Sequence, residues 1–146
     1  MKFRSIIVFV FISFLSIATF AQTFTLHVNI TNIRNTKGKM QVQIFKNQED
    51  FDNAAPWKSV LIVKATTMKG NTITYDVTGI PAGTYGIAIL DDENTDTKMN
   101  YSFMLPTEGF GFSNYYHTAW SKPKFDSFKF TVNAADVNIN IKVRYV

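Results

Sequence analysis

An all-β sandwich of about seven strands is the fold this sequence predicts. Three observations predict it. Apolar and polar residues alternate with a period of two in segment after segment from Phe24 to Tyr145. Turn residues punctuate those segments at short intervals. No stretch after residue 21 sustains a helical period.

The elements follow in order. Phe24, Leu26, Val28 and Ile30 alternate with Thr25, His27 and Asn29, the pattern of a half-buried strand. Asn35 to Lys39 reads as a turn with Gly38 at the position that needs positive φ. Met40, Val42 and Ile44 resume the alternation and complete an antiparallel hairpin. Asn47 to Trp57 breaks it, which predicts a loop with one helical turn stopped by Pro56. The segments VLIVKATT and NTITYDVTGI are the next two strands, divided at Lys69-Gly70, with Ile73, Tyr75 and Val77 on one face. After the turn Pro81-Ala82-Gly83, Tyr85, Ile87 and Ile89 share a face. One long loop region separates this strand from the last two, SFKFTV and VNINIKVRYV. The final strand carries Val137, Ile139, Ile141, Val143 and Tyr145 as a stripe, and it needs an internal partner because a long flat edge invites aggregation. An open barrel is the alternative arrangement of the same strands.

The N-terminus has its own pattern. Lys2 and Arg4 precede an apolar run from Ile6 to Ile17, and Thr19-Phe20-Ala21 offers small residues at the −3 and −1 positions of a cleavage site. That order predicts a secretory signal peptide over residues 1–21 and a single domain over 22–146, secreted or periplasmic. The apolar run is short for a membrane span, which needs about 20 residues, so no span is expected after cleavage. Without Lys2 and Arg4, the 15 basic residues fall to 13 against 11 acidic ones. So even a balance, with no long run of like charge, gives no sign of nucleic-acid binding. Cysteine is absent, so packing and possible metal ligation must do the work that disulfides do in many exported domains.

Two segments carry chemistry. In DDENTDTKMN, Asp92, Asn94 and Asp96 have the spacing D-x-N-x-D, and Asn100 follows four residues later. Calcium takes carboxylate and amide oxygens at such alternating positions, so these four residues are the candidate metal ligands, with calcium the candidate cofactor. The pattern is incomplete: Thr97 stands where a calcium loop places glycine, Phe103 where it places a bidentate acid, and Lys98 opposes the ion. The bland alternative is a polar turn that caps its own backbone. In PTEGFGFSNYYHTAW, Gly109 and Gly111 sit among Phe110, Phe112, Tyr115, Tyr116 and Trp120. Aromatic rings with polar edges suit a glycan or peptide, so Glu108, Ser113, Asn114, Tyr115, Tyr116, His117 and Trp120 are the candidate ligand-binding residues. Their alternative is to close one end of the core. His27 and His117 have no partner at zinc spacing, and Ser113 lacks the G-x-S-x-G context of a nucleophile.

The segments GIPAGTYGIAILDDENTDTKMN, LPTEGFGFSN and KPKFDSFKFTV together resemble the DUF2141 family, an uncharacterised family of exported bacterial domains. Pro81, Gly83, Tyr85, Asp92, Glu93 and Asn94 match its first motif. Pro106, Glu108, Gly109, Gly111, Phe112, Ser113 and Asn114 match the second, and Pro123 and Phe125 the third. The departures fall in the calcium-like part: the family's His before the Asp is Asp91 here, its Asn-Gly is Asp96-Thr97, and its later Asp is Asn100. The resemblance implies a secreted immunoglobulin-like or transthyretin-like β-sandwich and brings no activity with it.

The sequence therefore predicts an exported, non-catalytic domain with a binding or structural role at the cell envelope, its partner an envelope protein, peptide or glycan. A calcium-stabilised carbohydrate- or peptide-binding module is the second expectation. A hydrolase using Glu108, Asp92 and His117 is the third. Only Tyr101 to Leu105 separate the acidic loop from the glycine-aromatic loop, which places both at one end of the sandwich. Glu108 is expected to face Asp92 and Asn94 as a ligand or, preferably, as an acceptor for backbone N–H groups in a polar network that pins the loop.

Overall fold

A computed structural model describes residues 22–146. The signal peptide expected over 1–21 lies outside the described residues. No helix among the described residues is long and apolar enough to cross a membrane.

The described residues are all-β, in three sheets, none of them closed. β1 (Thr23–Thr31) lies at the centre of a three-stranded sheet, parallel to β10 (Val137–Lys142) on one side and antiparallel to β4 (Ile73–Pro81) on the other. The second sheet is antiparallel and runs β3 (Lys58–Val63), β2 (Lys39–Phe45), β5 (Gly83–Asp92), β8 (Gly109–Phe112), with β9 (Lys129–Val132) also paired to β5. The third is the small hairpin of β6 (Tyr101–Ser102) and β7 (Leu105–Pro106). The helical turn expected after Asn47 is α1 (Gln48–Asp52), capped by the Asn47 side chain, which accepts from the Asp50 N–H.

The alternation read from the sequence sorts residues as expected. Leu26, Val28 and Ile30 of β1, Ile139 and Ile141 of β10, Val42 and Ile44 of β2, and Ile87 and Ile89 of β5 all enter one buried cluster, so the two large sheets share a core. β4 departs from strict alternation. Tyr75 is exposed, and one extra residue separates Val77 from Ile80 where β1 has Phe24 and Leu26 opposite. Gly79, at φ 74°, absorbs that bulge. The expected strand VLIVKATT ends early: β3 stops at Val63 and a helical turn, α2 (Lys64–Thr67), follows. The long loop region is likewise not strandless, since β6, β7 and β8 all lie within it.

β5 is buried on both faces. On its outer side Gly86 and Ala88 meet a second apolar cluster formed by Phe45, Phe51, Phe112, Phe125 and Phe128. These rings meet mostly edge to face, with centroids 5.0–6.1 Å apart among Phe51, Phe112 and Phe128. The final strand acquires the partner it needs. One edge of β10 pairs with β1. At the other, Asn114 exchanges hydrogen bonds with Asn140, and just beyond the strand Phe110 bridges to Arg144.

Candidate functional site

The end of β5 sets two carboxylates back to back. Strand geometry points successive side chains to opposite faces. Asp91 therefore continues the inward row of Tyr85, Ile87 and Ile89, and Asp92 points outward; neither is exposed. Asp91 meets a cation there: its Oδ1 accepts from Lys64 Nζ, itself completely buried, and its Oδ2 accepts from the Tyr145 hydroxyl at 2.5 Å. Burial, and then the bond to Asp91, hold the Tyr145 hydroxyl far above its ordinary titration range. α2 is the reason Lys64 can do this, because it turns the chain out of β3 so that the ammonium reaches the core.

Asp92 has no such cation. Its Oδ1 accepts from the Asp96 N–H at 3.2 Å and its Oδ2 from the Thr97 N–H at 2.9 Å. This wraps residues 92–97 around the carboxylate. Thr97 sits at φ 65°, in the left-handed region that glycine would occupy freely. Gly38, at φ 70°, supports the loop from below, where a Cβ would overlap the Asp92 carbonyl oxygen and press on Glu93.

Glu108 reaches the same place from the other side. The β6–β7 hairpin returns the chain so that Glu108 Oε2 accepts from the Asn100 N–H at 3.2 Å, while the Thr107 N–H donates to the Asn100 carbonyl at 2.9 Å. Carboxylate oxygens of Asp92, Asp96 and Glu108 lie within 4.8 Å of one another. Glu108 is only 5% exposed, and its Oε1 is the one buried side-chain oxygen or nitrogen among the described residues without a hydrogen-bond partner. Burial raises the Glu108 carboxyl above its usual value; the Asn100 amide opposes this, and Asp92 and Asp96 add to it. The Glu93 amide favours the carboxylate from nearby without completing a hydrogen bond. Asp96 is held low, first by the Asn100 side chain and then by the Lys98 amide.

The other two expected ligands, Asn94 and Asn100, join the cluster through Asp96. Both amides donate to Asp96 Oδ2, at 3.1 and 2.9 Å, and Asn94 also donates to Asn100 Oδ1 at 2.9 Å. Beside them Glu93 is paired with Arg34 at 2.5 Å and with Asn35 at 3.0 Å. Burial works against its charge, but Arg34 and Asn35 hold its carboxyl below the usual value. Arg34 also lies over the Tyr145 ring, 4.5 Å from its centroid.

A cleft of about 550 Å³ opens on the outer face of the larger sheet. Its floor includes Gln41, Gln43, Ala88, Leu90, Phe110 and Phe112, and one wall is the segment that follows Asp96, through Thr97, Lys98 and Met99. In the GFGF of β8 the glycines turn inward: a Cβ on Gly109 would strike Val143 and the Tyr145 ring, and one on Gly111 would strike Ile141. The phenylalanines therefore face the cleft. Lys98, Lys122 and Arg144 line it and no aspartate or glutamate side chain does. Trp120, 77% exposed, stands at its rim with the hairpin residues Tyr101 and Met104. Phe103 and Met104 form the hairpin tip at φ 48° and 67°, almost wholly exposed.

The expected ligand-binding residues divide between these surroundings. His117 and Trp120 line the cleft. His117 is nonetheless largely buried, with Nε2 2.5 Å from the Ser121 carbonyl and Nδ1 3.4 Å from the Tyr115 hydroxyl, so it bonds to Ser121 and Tyr115 and not to Glu108 or Asp92. Ser113 is buried between elements, accepting from the Ile87 N–H at 2.9 Å and donating to the Phe128 carbonyl at 2.6 Å. Asn114 clamps Asn140 of β10. Tyr115 and Tyr116 lie with Asn114 along a shallow depression beside β10, Tyr115 half-buried and Tyr116 exposed. Lys64, Tyr145 and Arg144 are the residues whose roles sequence reasoning missed, and Lys98, read there only as a charge opposing a metal, lines the cleft.

These elements define an all-β domain with an acidic loop beside an aromatic cleft. Residues 28–140 match the family described as an uncharacterized protein conserved in bacteria, DUF2141, and the chain belongs to that family. No curated protein and no solved structure matches it.

Proposed function

We propose that this is an exported, non-catalytic binding domain with an immunoglobulin-like sandwich, and that its cleft seats an anionic, partly apolar segment of a peptide or glycan at the cell envelope. The observation that carries this reading is the lining of the cleft: a largely apolar floor, with Gln41 and Gln43 in it, bordered by three cationic side chains and no aspartate or glutamate. Concave, mostly apolar surfaces with a few convergent polar groups are where ligands of this size bind. An exposed indole at the rim, as at Trp120, offers a flat face to a sugar ring or a peptide side chain. A non-catalytic role is supported by Ser113 and His117, whose polar atoms are engaged in holding segments together. Export is supported by the N-terminal pattern of Lys2 to Ala21. The sandwich is supported by the core that the two large sheets share.

The test is an array of acidic and neutral glycans and peptides, followed by titration of the hits against Trp120→Ala and Lys98→Ala. Both side chains are exposed, so neither change threatens the fold. Binding that prefers acidic members and falls at least tenfold in each variant supports the reading. Binding indifferent to charge, or unchanged in both variants, overturns it.

A further inference from the structure

We propose that Asp92, Asp96 and Glu108 hold a divalent cation of the calcium class, bound between the acidic loop and the start of β8. This goes beyond the binding role of the cleft and stands whether or not the cleft takes a ligand.

The first observation is geometric. One oxygen from each of the three carboxylates falls within 4.8 Å of the others, which fits a shell of oxygens about 2.3–2.6 Å from a central ion. The second observation is independent of the clustering. Glu108 is 95% buried by exposure, and its Oε1 lacks a partner while its Oε2 is satisfied by Asn100. A buried, unpartnered carboxylate oxygen beside two more carboxylates is costly unless something positive completes it. The neighbouring acids show the contrast: Asp91 has Lys64 and Glu93 has Arg34, whereas Asp92 and Glu108 receive hydrogen bonds only from backbone N–H groups.

The donor set selects the ion. All three groups are carboxylates, with no sulfur or imidazole, which favours a hard cation. The loop supplies one further feature of a calcium site. Asp92 accepts from the N–H of Thr97, five residues on, and Thr97 adopts the positive φ at which such loops place glycine. The linear pattern lacks its terminal acid because Phe103 occupies that position. Glu108 supplies a carboxylate from beyond the β6–β7 hairpin instead. Asn94 and Asn100 hold Asp96 in place beside the ion: both amides donate to its Oδ2, and Asn94 Oδ1 accepts from the Asp96 N–H at 3.1 Å.

The experiment is thermal melting of the purified, chelator-treated protein with calcium added back, together with calorimetric titration of calcium alone. Two variants accompany it: Glu108→Gln, which keeps the shape, and Asp96→Asn, whose side chain is exposed and not needed for packing. At a hundredfold excess of calcium over its Kd the melting temperature should rise by roughly 5–10 °C. Both variants should lose most of that rise and bind at least tenfold more weakly, and in chelator Glu108→Gln should melt no lower than the parent. Absence of a calcium-dependent rise overturns the proposal. So does a rise of equal size and affinity in both variants, which would place the ion elsewhere.

Discussion

Asp91 and Asp92 are neighbours in sequence, equally buried, and electrostatically opposite. Asp91 faces inward onto the Lys64 ammonium and the Tyr145 hydroxyl, and that site is complete. Asp92 faces outward into a loop where two more carboxylates gather and the bonds it accepts come from backbone amides. One strand thus shows two ways to bury a negative charge. The inner carboxylate is neutralised by a residue far away in sequence, which ties β5 to α2 and to the C-terminus. The outer one is stabilised by local dipoles, which leave negative charge in reserve. The first arrangement builds the fold, and the second leaves capacity for something outside the chain.

The largest effect should come from breaking the inner pair. Asp91→Ala or Lys64→Ala leaves one charge buried without its partner and should cost about 3–5 kcal/mol in urea unfolding. Replacing both with apolar residues, Asp91→Leu with Lys64→Met, should recover most of that loss, since the pair's burial penalty vanishes with it. If the double variant is as unstable as the singles, the inner site depends on more than charge compensation. Tyr145→Phe is the next step down. It removes a donor to Asp91 and the acceptor for the Arg34 N–H at 3.0 Å, and should cost about 1–2 kcal/mol by the same measurement.

At the outer site the sign reverses. Thr97→Gly relieves a β-branched residue at φ 65° and should stabilise the protein by up to about 1 kcal/mol. A loss of stability there would show that the Thr97 side chain does more than tolerate its backbone. The smallest effect belongs to an ion pair away from both sites. The His27 ring lies 2.7 Å from Asp76, and that hydrogen bond, opposed by slight desolvation, raises its pKa above 6.5. A raised folded pKa gives stability that is present below 6.5 and lost as pH climbs through the folded value. His27→Gln should therefore flatten the pH dependence of the melting temperature in that window and change it little at mildly alkaline pH. An unchanged profile would assign the dependence to another group.

Much of the fold was legible because period-two alternation reports directly which face is buried. Leu26, Val28 and Ile30, and Ile87 and Ile89, went where their spacing placed them. β8 was illegible for the same reason: in GFGF the inward residues are glycines, chosen so that β10 and the Tyr145 ring can approach, and no apolar alternation marks the strand. α2 was hidden because VLIVKATT is rich in β-branched residues, Val60, Ile62, Val63, Thr66 and Thr67, and only the three-dimensional need of Asp91 explains why Lys64 turns inward. The acidic site was half visible. Asp92 and Asp96 announce themselves by spacing. Glu108 has no periodicity to mark it, and only the short Tyr101–Leu105 connection placed it near Asp92; the β6–β7 hairpin that makes this return was not legible. Asn94 and Asn100 are drawn to the cluster as the spacing suggested, but they serve Asp96.

The parallel pairing of β1 with β10 also governs how the molecule can be made. β1 and β10 are more than a hundred residues apart in sequence, so the chain as far as Lys142 must be present before the central strand gains its second neighbour. Until then a nascent chain carries β1 with an open hydrogen-bonding edge. A product cut short before Val137 would keep that edge for its lifetime, leaving it vulnerable to proteases and to self-association.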